Sequence, residues 1–181
     1  DIGYFNNLTS VFPRSPLVSY QIFRGMLKPA DVPYSSYYGK SIRFSGPNDA
    51  LYLWDRWLGA DRSRIRESLS EQEKTDMLRF FGAYQETYKK PILSKNNNLN
   101  VQAKAVADVL GTAYFICMTR DPLYLAQSLL RARLDIHGSV DVAYGIDAPG
   151  SLNSQDHIED VCRQVIFHER KIQEQQRLIG D

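Results

Sequence analysis

The sequence predicts an α/β domain in which helices flank a parallel sheet, and three stretches carry that prediction. The first is AYFICMTRDPLYLAQSLLRAR, residues 113–133, where a short apolar run stops at Thr119-Arg120-Asp121-Pro122 and an amphipathic segment begins at once. Within it, Tyr114-Phe115-Ile116-Cys117-Met118 has the length and composition of a strand buried on both faces. The second is the brief apolar run Pro91–Ser94 ahead of a helical segment, and the third is the opening Ile2–Asn6. Strand, helix, strand and helix joined by short connections imply parallel pairing.

The elements follow in order. Residues 2–6 form a short strand, and Pro16 to Leu27 reads as a helix, with Leu17, Tyr20, Ile22, Phe23 and Met26 among polar positions. Pro29 to Gly46, rich in Pro, Ser, Tyr and Gly, reads as a long irregular loop. Its tyrosine-rich part, Tyr34 to Tyr38, is either a lid over a binding site or a packed surface loop. Asn48 to Leu58 is an aromatic helix stopped by Gly59, with Trp54 and Trp57 as core or cleft wall. Ser70-Glu71-Gln72-Glu73 is a capping box, after which Met77, Phe80, Phe81, Tyr84 and Tyr88 recur at helical spacing.

The strand 91–94 leads to Lys95, and Asn100 caps a helix through Val109 that stops at Gly111. Asp121 is an N-cap and Pro122 suits the first helical position, where its missing N–H costs nothing. Leu123, Ala126, Leu130 and Leu134, with Leu125 and Leu129 beside them, then form the apolar stripe of a helix. Gly138 to Asn153 is a second irregular loop. Asp156 starts the last helix, whose stripe is Ile158, Val161, Val165, Ile172 and Ile179.

Composition narrows the classes of function. The 181 residues fit one domain able to bury about 70% of the surface its unfolded chain exposes. Lys plus Arg number 22 against 21 for Asp plus Glu, a net charge of +1 that argues against a general nucleic-acid or membrane-surface binder. No apolar stretch approaches the length of a membrane span, and no His/Cys spacing suggests a metal site. Cys117, in the expected buried strand, and Cys162, in the last helix, read as free core thiols. A cytoplasmic location is the default expectation.

The strand–turn–helix at 113–133 also suggests chemistry. It places Arg120 at the strand's carboxyl end, where open α/β sheets bind ligands and a helix N-terminus favours an anion. Ser128 lies eight residues on, about two helical turns away, so guanidinium and hydroxyl can grip a phosphate from two sides. The alternative is an ion pair for Arg120 and a merely tolerated Ser128. Two decoys fall away. Gly39-Lys40-Ser41 imitates the end of a Walker loop, but the earlier glycine it requires would stand at Tyr34. Pro13-Arg14-Ser15 is followed by Pro16, which has no N–H to offer a phosphate.

The run LSKNNNLNVQAKAVADVLGTAYFICMTRDPLYLAQSLLRAR resembles the central part of the sulfotransferase family, in which a lysine-bearing strand, a helix and a strand ending in R-D-P-x5-S follow one another. NLTSVFPRSP, NDALYLWDRWLG and DHIEDVCRQVIFHERKI resemble three further blocks of its bacterial-type members, in the same order, so most of the chain is covered. The resemblance implies a P-loop-NTPase-like parallel sheet flanked by helices and 3′-phosphoadenosine 5′-phosphosulfate as co-substrate, without a metal. It also implies transfer of a sulfuryl group to a hydroxyl of a small molecule or carbohydrate.

By that resemblance Arg120 and Ser128 bind the 3′-phosphate of the donor, and Lys95 neutralises charge on the leaving phosphate bridge. From the residues alone, Lys95 is equally a solvated lysine. The histidine that cytosolic members place two residues after this lysine is replaced by Asn97, which cannot act as a base. Asp49, before the aromatic helix, is the nearest carboxylate to take that role, or simply a first-turn residue favoured by the helix dipole.

The family's glycine-containing 5′-phosphosulfate loop does not occur in the chain. Residues 1–181 are therefore expected to form one sulfotransferase-like domain lacking its first strand and loop and its C-terminal part. The rival readings are a non-catalytic sulfotransferase-like binding module and a P-loop kinase on a related sheet. His168 reads as a structural histidine on the apolar side of the last helix, His137 as a helix-end residue and His157 as exposed beside a cap. Arg62, Arg64 and Arg66 form a basic cluster suited to a solvated loop or an anionic acceptor. Oligomeric state stays open.

Overall fold

A computed structural model describes residues 2–25, 27, 36–38, 40–61, 63–150 and 156–180. The chain divides into two compact units, one of residues 1–60 and 69–96, the other of residues 61–68 and 97–181. Helices dominate, and a small parallel pair of strands gives the fold its α/β character.

In the first unit β1 (Gly3–Tyr4) pairs parallel with β4 (Ile92–Leu93), Gly3 opposite Ile92 and Tyr4 opposite Leu93. Around this pair lie α1 (Asn7–Val11), α2 (Pro16–Phe23), α3 (Leu51–Leu58) and α4 (Glu71–Tyr88). The stretch expected to be an irregular loop contains an antiparallel pair, β2 (Ser36–Tyr37) with β3 (Lys40–Ser41). Residues 28–35, including Tyr34 and Ser35 of the expected lid, lie outside the described residues, as does Gly39.

The core of this unit is aromatic. Phe5 follows β1 into a cluster with Trp54 and Trp57 of α3 and Phe80, Phe81 and Tyr84 of α4, with ring centroids as close as 5.1 Å for Phe5–Tyr84 and 5.3 Å for Trp57–Phe80. The capping box at Ser70 forms as expected, with Glu73 reaching back to the Ser70 N–H. Tyr84 donates its hydroxyl to the Tyr4 carbonyl at 3.1 Å, tying α4 to β1, and burial keeps that phenol protonated far above its ordinary range. The turn before α3 requires Gly46, because a Cβ there would collide with the Ile42 carbonyl and the Ser41 side chain.

The second unit contains a 3-10 turn (Asn97–Val101), α5 (Ala103–Ala107), α6 (Pro122–His137) and α7 (His157–Ile179). The single helix expected from Asn100 to Val109 is thus a 3-10 turn followed by a short α-helix beginning after Gln102. Asp121 caps α6 by accepting from the Leu123 N–H at 2.9 Å, and Asp156 caps α7. Gly138 closes α6 in the left-handed conformation (φ +71°).

The largest departure from expectation is the run Tyr114–Met118. It forms no strand and pairs with none among the described residues, and it is exposed: Tyr114 is 95% and Met118 85% accessible. The expected central buried strand is therefore absent from the sheet. Composition showed what the segment is suited to; burial requires neighbouring strands, which the described residues do not supply.

The stripes shift as well. Leu123 and Leu134 of α6 and Ile158 of α7 are exposed, whereas Ala132, Arg133, Val161, Gln164 and Val165 are buried. Cys117 and Cys162, expected in the core, are free and exposed. No helix among the described residues is long and apolar enough to cross a membrane.

Candidate functional site

Because β1 and β4 run parallel, their carboxyl ends share one edge, the edge at which open α/β sheets bind ligands. The Asn48 N–H donates to the Phe5 carbonyl at 2.9 Å, fastening the segment before α3 to the end of β1. The Asn48 side chain organises that segment. Its Oδ1 accepts from the Ala50 N–H at 2.7 Å and the Ser10 hydroxyl at 2.6 Å, while its Nδ2 donates to Asn7 Oδ1 at 2.7 Å. Ala50 is thereby held in a left-handed conformation (φ +51°), uncommon for a residue with a Cβ.

Asp49 sits inside this turn and is only 8% exposed. It precedes α3, which begins at Leu51, so it is not the first-turn residue of the helix-dipole alternative. At the end of β4, Ser94 Oγ accepts from Trp54 Nε1 at 3.0 Å, and Lys95 follows, exposed. Lys95 thus follows the carboxyl end of β4 by two residues, and Asp49 adjoins Asn48, whose N–H is bonded just beyond the end of β1. Trp54 and Trp57 are core residues, and Asn97 opens the 3-10 turn.

Arg120 and Ser128 belong to the second unit. Arg120 ends an exposed irregular run instead of a buried strand, immediately before the Asp121 cap of α6, and Ser128 is exposed on α6. No carboxylate pairs with Arg120 among the described residues. The four residues singled out from the sequence therefore divide into Asp49 with Lys95 and Arg120 with Ser128.

One polar cluster escaped the sequence. Arg133 is fully buried on α6, with Nη1 2.6 Å from Asp160 of α7 and 3.1 Å from the Val140 carbonyl, and Nη2 3.0 Å from Gln164 Oε1. Gln164 Nε2 donates to the carbonyls of Tyr144 and Ile146, both at 3.0 Å, and His168 Nε2 lies 2.7 Å from the Ile146 carbonyl. The loop after α6 is strapped down by these bonds. Nothing marks the cluster in sequence, because an arginine beside an apolar stripe normally reaches solvent.

Facing a carbonyl, His168 Nε2 must carry the hydrogen, which leaves Nδ1 buried without a hydrogen-bond partner. Burial lowers the His168 pKa, although the Ile146 carbonyl and the Asp147 charge pull it upward. The unfolded chain therefore takes up this proton first as pH falls. The stability due to neutral His168 is present above the unfolded value of about 6.5 and is lost as pH drops through the lowered folded value. Urea unfolding at about pH 7.5 and about pH 5 should show a loss of stability on acidification that is smaller in His168→Gln, whose amide can still donate to Ile146. Equal losses in both proteins would remove His168 as the source.

The other candidates are placed simply. His137 lies in the last turn of α6, and exposed His157 is 3.6 Å from Asp141. Arg64 pairs with Asp61 at 3.1 Å, and Arg62 lies outside the described residues. No group of three or more His, Cys, Asp or Glu residues among the described ones is placed to hold a metal ion. Compared with models of known protein families, with curated proteins and with solved structures, the chain gives no match.

Proposed function

We propose that the chain is a sulfotransferase-like domain on a P-loop-type sheet, moving a sulfuryl group from 3′-phosphoadenosine 5′-phosphosulfate to a hydroxyl of a small molecule or carbohydrate. The observation that supports this best is the parallel β1–β4 pair, with Lys95 just after β4 and Asp49 beside Asn48, which is bonded just beyond the end of β1. A second support is the Arg120 guanidinium, with no carboxylate partner among the described residues, just ahead of a capped helix N-terminus.

In this reading the acceptor oxygen attacks sulfur in line as the bond from sulfur to the 5′-phosphate oxygen breaks. The acceptor's proton passes to the Asp49 carboxylate, and Lys95 stabilises the negative charge left on the departing phosphate. The by-product is 3′-phosphoadenosine 5′-phosphate, whose 3′-phosphate Arg120 and Ser128 hold. The burial of Asp49 and the presence of Asn97 in place of a basic histidine favour the rival reading, a binding module of the same fold that performs no transfer.

Calorimetric titration with 3′-phosphoadenosine 5′-phosphate tests the donor assignment. Binding is expected, with Arg120→Ala weakening it by about tenfold to a hundredfold, the scale of a lost charge-assisted contact. Absence of binding by the folded chain, or unchanged affinity in the variant, would overturn it. Donor binding without turnover of any hydroxyl acceptor, unaltered by Asp49→Asn, would favour the non-catalytic module.

A further inference from the structure

The second unit contains a cleft of about 230 Å³ that shares no residue with Asp49, Lys95, Arg120 or Ser128. Its polar lining includes two deeply buried glutamines, Gln102 at 3% and Gln175 at 8% exposure. Gln102 Oε1 accepts from the Arg66 N–H and Gln175 Oε1 from the Lys104 N–H, both at 2.8 Å. A backbone N–H can only donate, so the atom facing it in each case is the amide oxygen. Each amide nitrogen is thereby turned the other way. Among the described residues neither Nε2 has a hydrogen-bond partner, and neither is sealed from solvent. Two fixed amide groups, carrying four N–H donors, are left unspent on residues that line the cleft.

The two lysines of the cleft are already paired, Lys171 with Glu174 at 2.7 Å and Lys104 with Asp108, and the lining also holds Arg66 and Glu67. Val101, Ala105 and Leu178 supply apolar wall. An anion would find both lysines already paired and would meet Glu67 and Glu174. A neutral acceptor meets unspent donors and apolar surface without that cost.

We propose that this cleft is a binding site for a small neutral carbonyl compound, an amide or ester with a short aliphatic body, held through the Gln102 and Gln175 side-chain N–H groups. The class follows from what the cleft leaves unsatisfied: amide donors without acceptors, lysines already paired, and room for a few carbon atoms.

Three probes of one chain length separate the chemistries: N,N-dimethylbutanamide, which only accepts; butanoate, which is anionic; and butylammonium, which only donates. Nitrogen-edited NMR of the whole chain follows the side-chain NH2 signals of the two glutamines. The dimethylamide should shift both signals saturably, and the other two probes should bind at least tenfold more weakly. Gln175→Glu keeps the oxygen that accepts from Lys104 but removes the donors, and should weaken binding by tenfold or more. Leu178→Trp, at an exposed rim position, fills the cleft without touching the buried amides and should abolish binding even if Gln175→Glu fails to fold. No saturable shift with the dimethylamide, tighter binding of butanoate, or unaltered binding in Leu178→Trp would overturn the proposal.

Discussion

Arg133→Ala should be the most damaging single change in the second unit, costing about 3–5 kcal/mol, because it leaves Asp160 as an uncompensated buried charge. The pair lies between α6 and α7 at 2.6 Å, with Arg133 fully buried and the Asp160 side chain 5% exposed. Its removal also frees the Val140 carbonyl and the Gln164 oxygen, so the loop after α6 loses its strap. Urea unfolding followed by circular dichroism measures the loss. The double variant Arg133→Met with Asp160→Leu is the informative companion. Apolar side chains of similar volume remove both desolvation costs together, so the double variant should recover most of what the single one loses. If the single variant loses less than about 1 kcal/mol, the pair is not sealed from water in solution.

Trp57→Ala should cost the first unit a comparable amount, about 3–5 kcal/mol, as large-to-small changes of buried aromatic residues do. Trp57 is fully buried and touches Trp54, Phe80 and Phe81, and its Nε1 donates to Asp76 Oδ2 at 3.0 Å. Asp76 also receives both contacts of the Arg56 guanidinium, which lies 5.3 Å from the Trp57 ring centroid. Trp57→Phe keeps most of the apolar area but loses the N–H, and should cost only about 1 kcal/mol beyond the change in volume. Thermal unfolding of the two variants separates packing from hydrogen bonding. Equal losses would mean that the bond to Asp76 matters more than the ring.

Local signals in the sequence were legible where a single side chain decides the outcome. The Ser70 capping box, the Asp121 and Asp156 N-caps, Pro122 at the start of α6 and the Gly59 and Gly138 stops all stand where those residue types place them. The aromatic core of α3 and α4 was legible too, since Trp and Phe at helical spacing have few other places to go. What composition could not show is whether a segment fit for burial has anything to be buried against. Tyr114–Met118 reads as a central strand by every local measure, yet neighbouring strands are what would bury it.

The candidate site divides in the same way. Lys95 was legible as a residue at the end of a short strand, and Asp49 as a carboxylate ahead of the aromatic helix. The left-handed turn at Ala50 and the asparagine network that enforces it were not, since they depend on contacts some forty residues apart in sequence. Arg133, Asp160, Gln102 and Gln175 were missed for a related reason. A long polar side chain is assumed to reach water until a partner on another element holds it inside.

The unpaired run from Tyr114 to Met118 has a consequence for how the chain behaves in concentrated solution. Its backbone joins no ladder among the described residues, and its exposed side chains are those that most readily seed intermolecular β-structure. Arg120, Asp121 and Pro122 stand at one end as gatekeepers: two charges and a ring that cannot extend a ladder. The other end, at Gly111, Thr112 and Ala113, has no such guard. Association between copies would therefore start from the Ala113 side and stop at Thr119. A lysine at the exposed Thr112 would guard the open end while leaving the turn into α6 untouched.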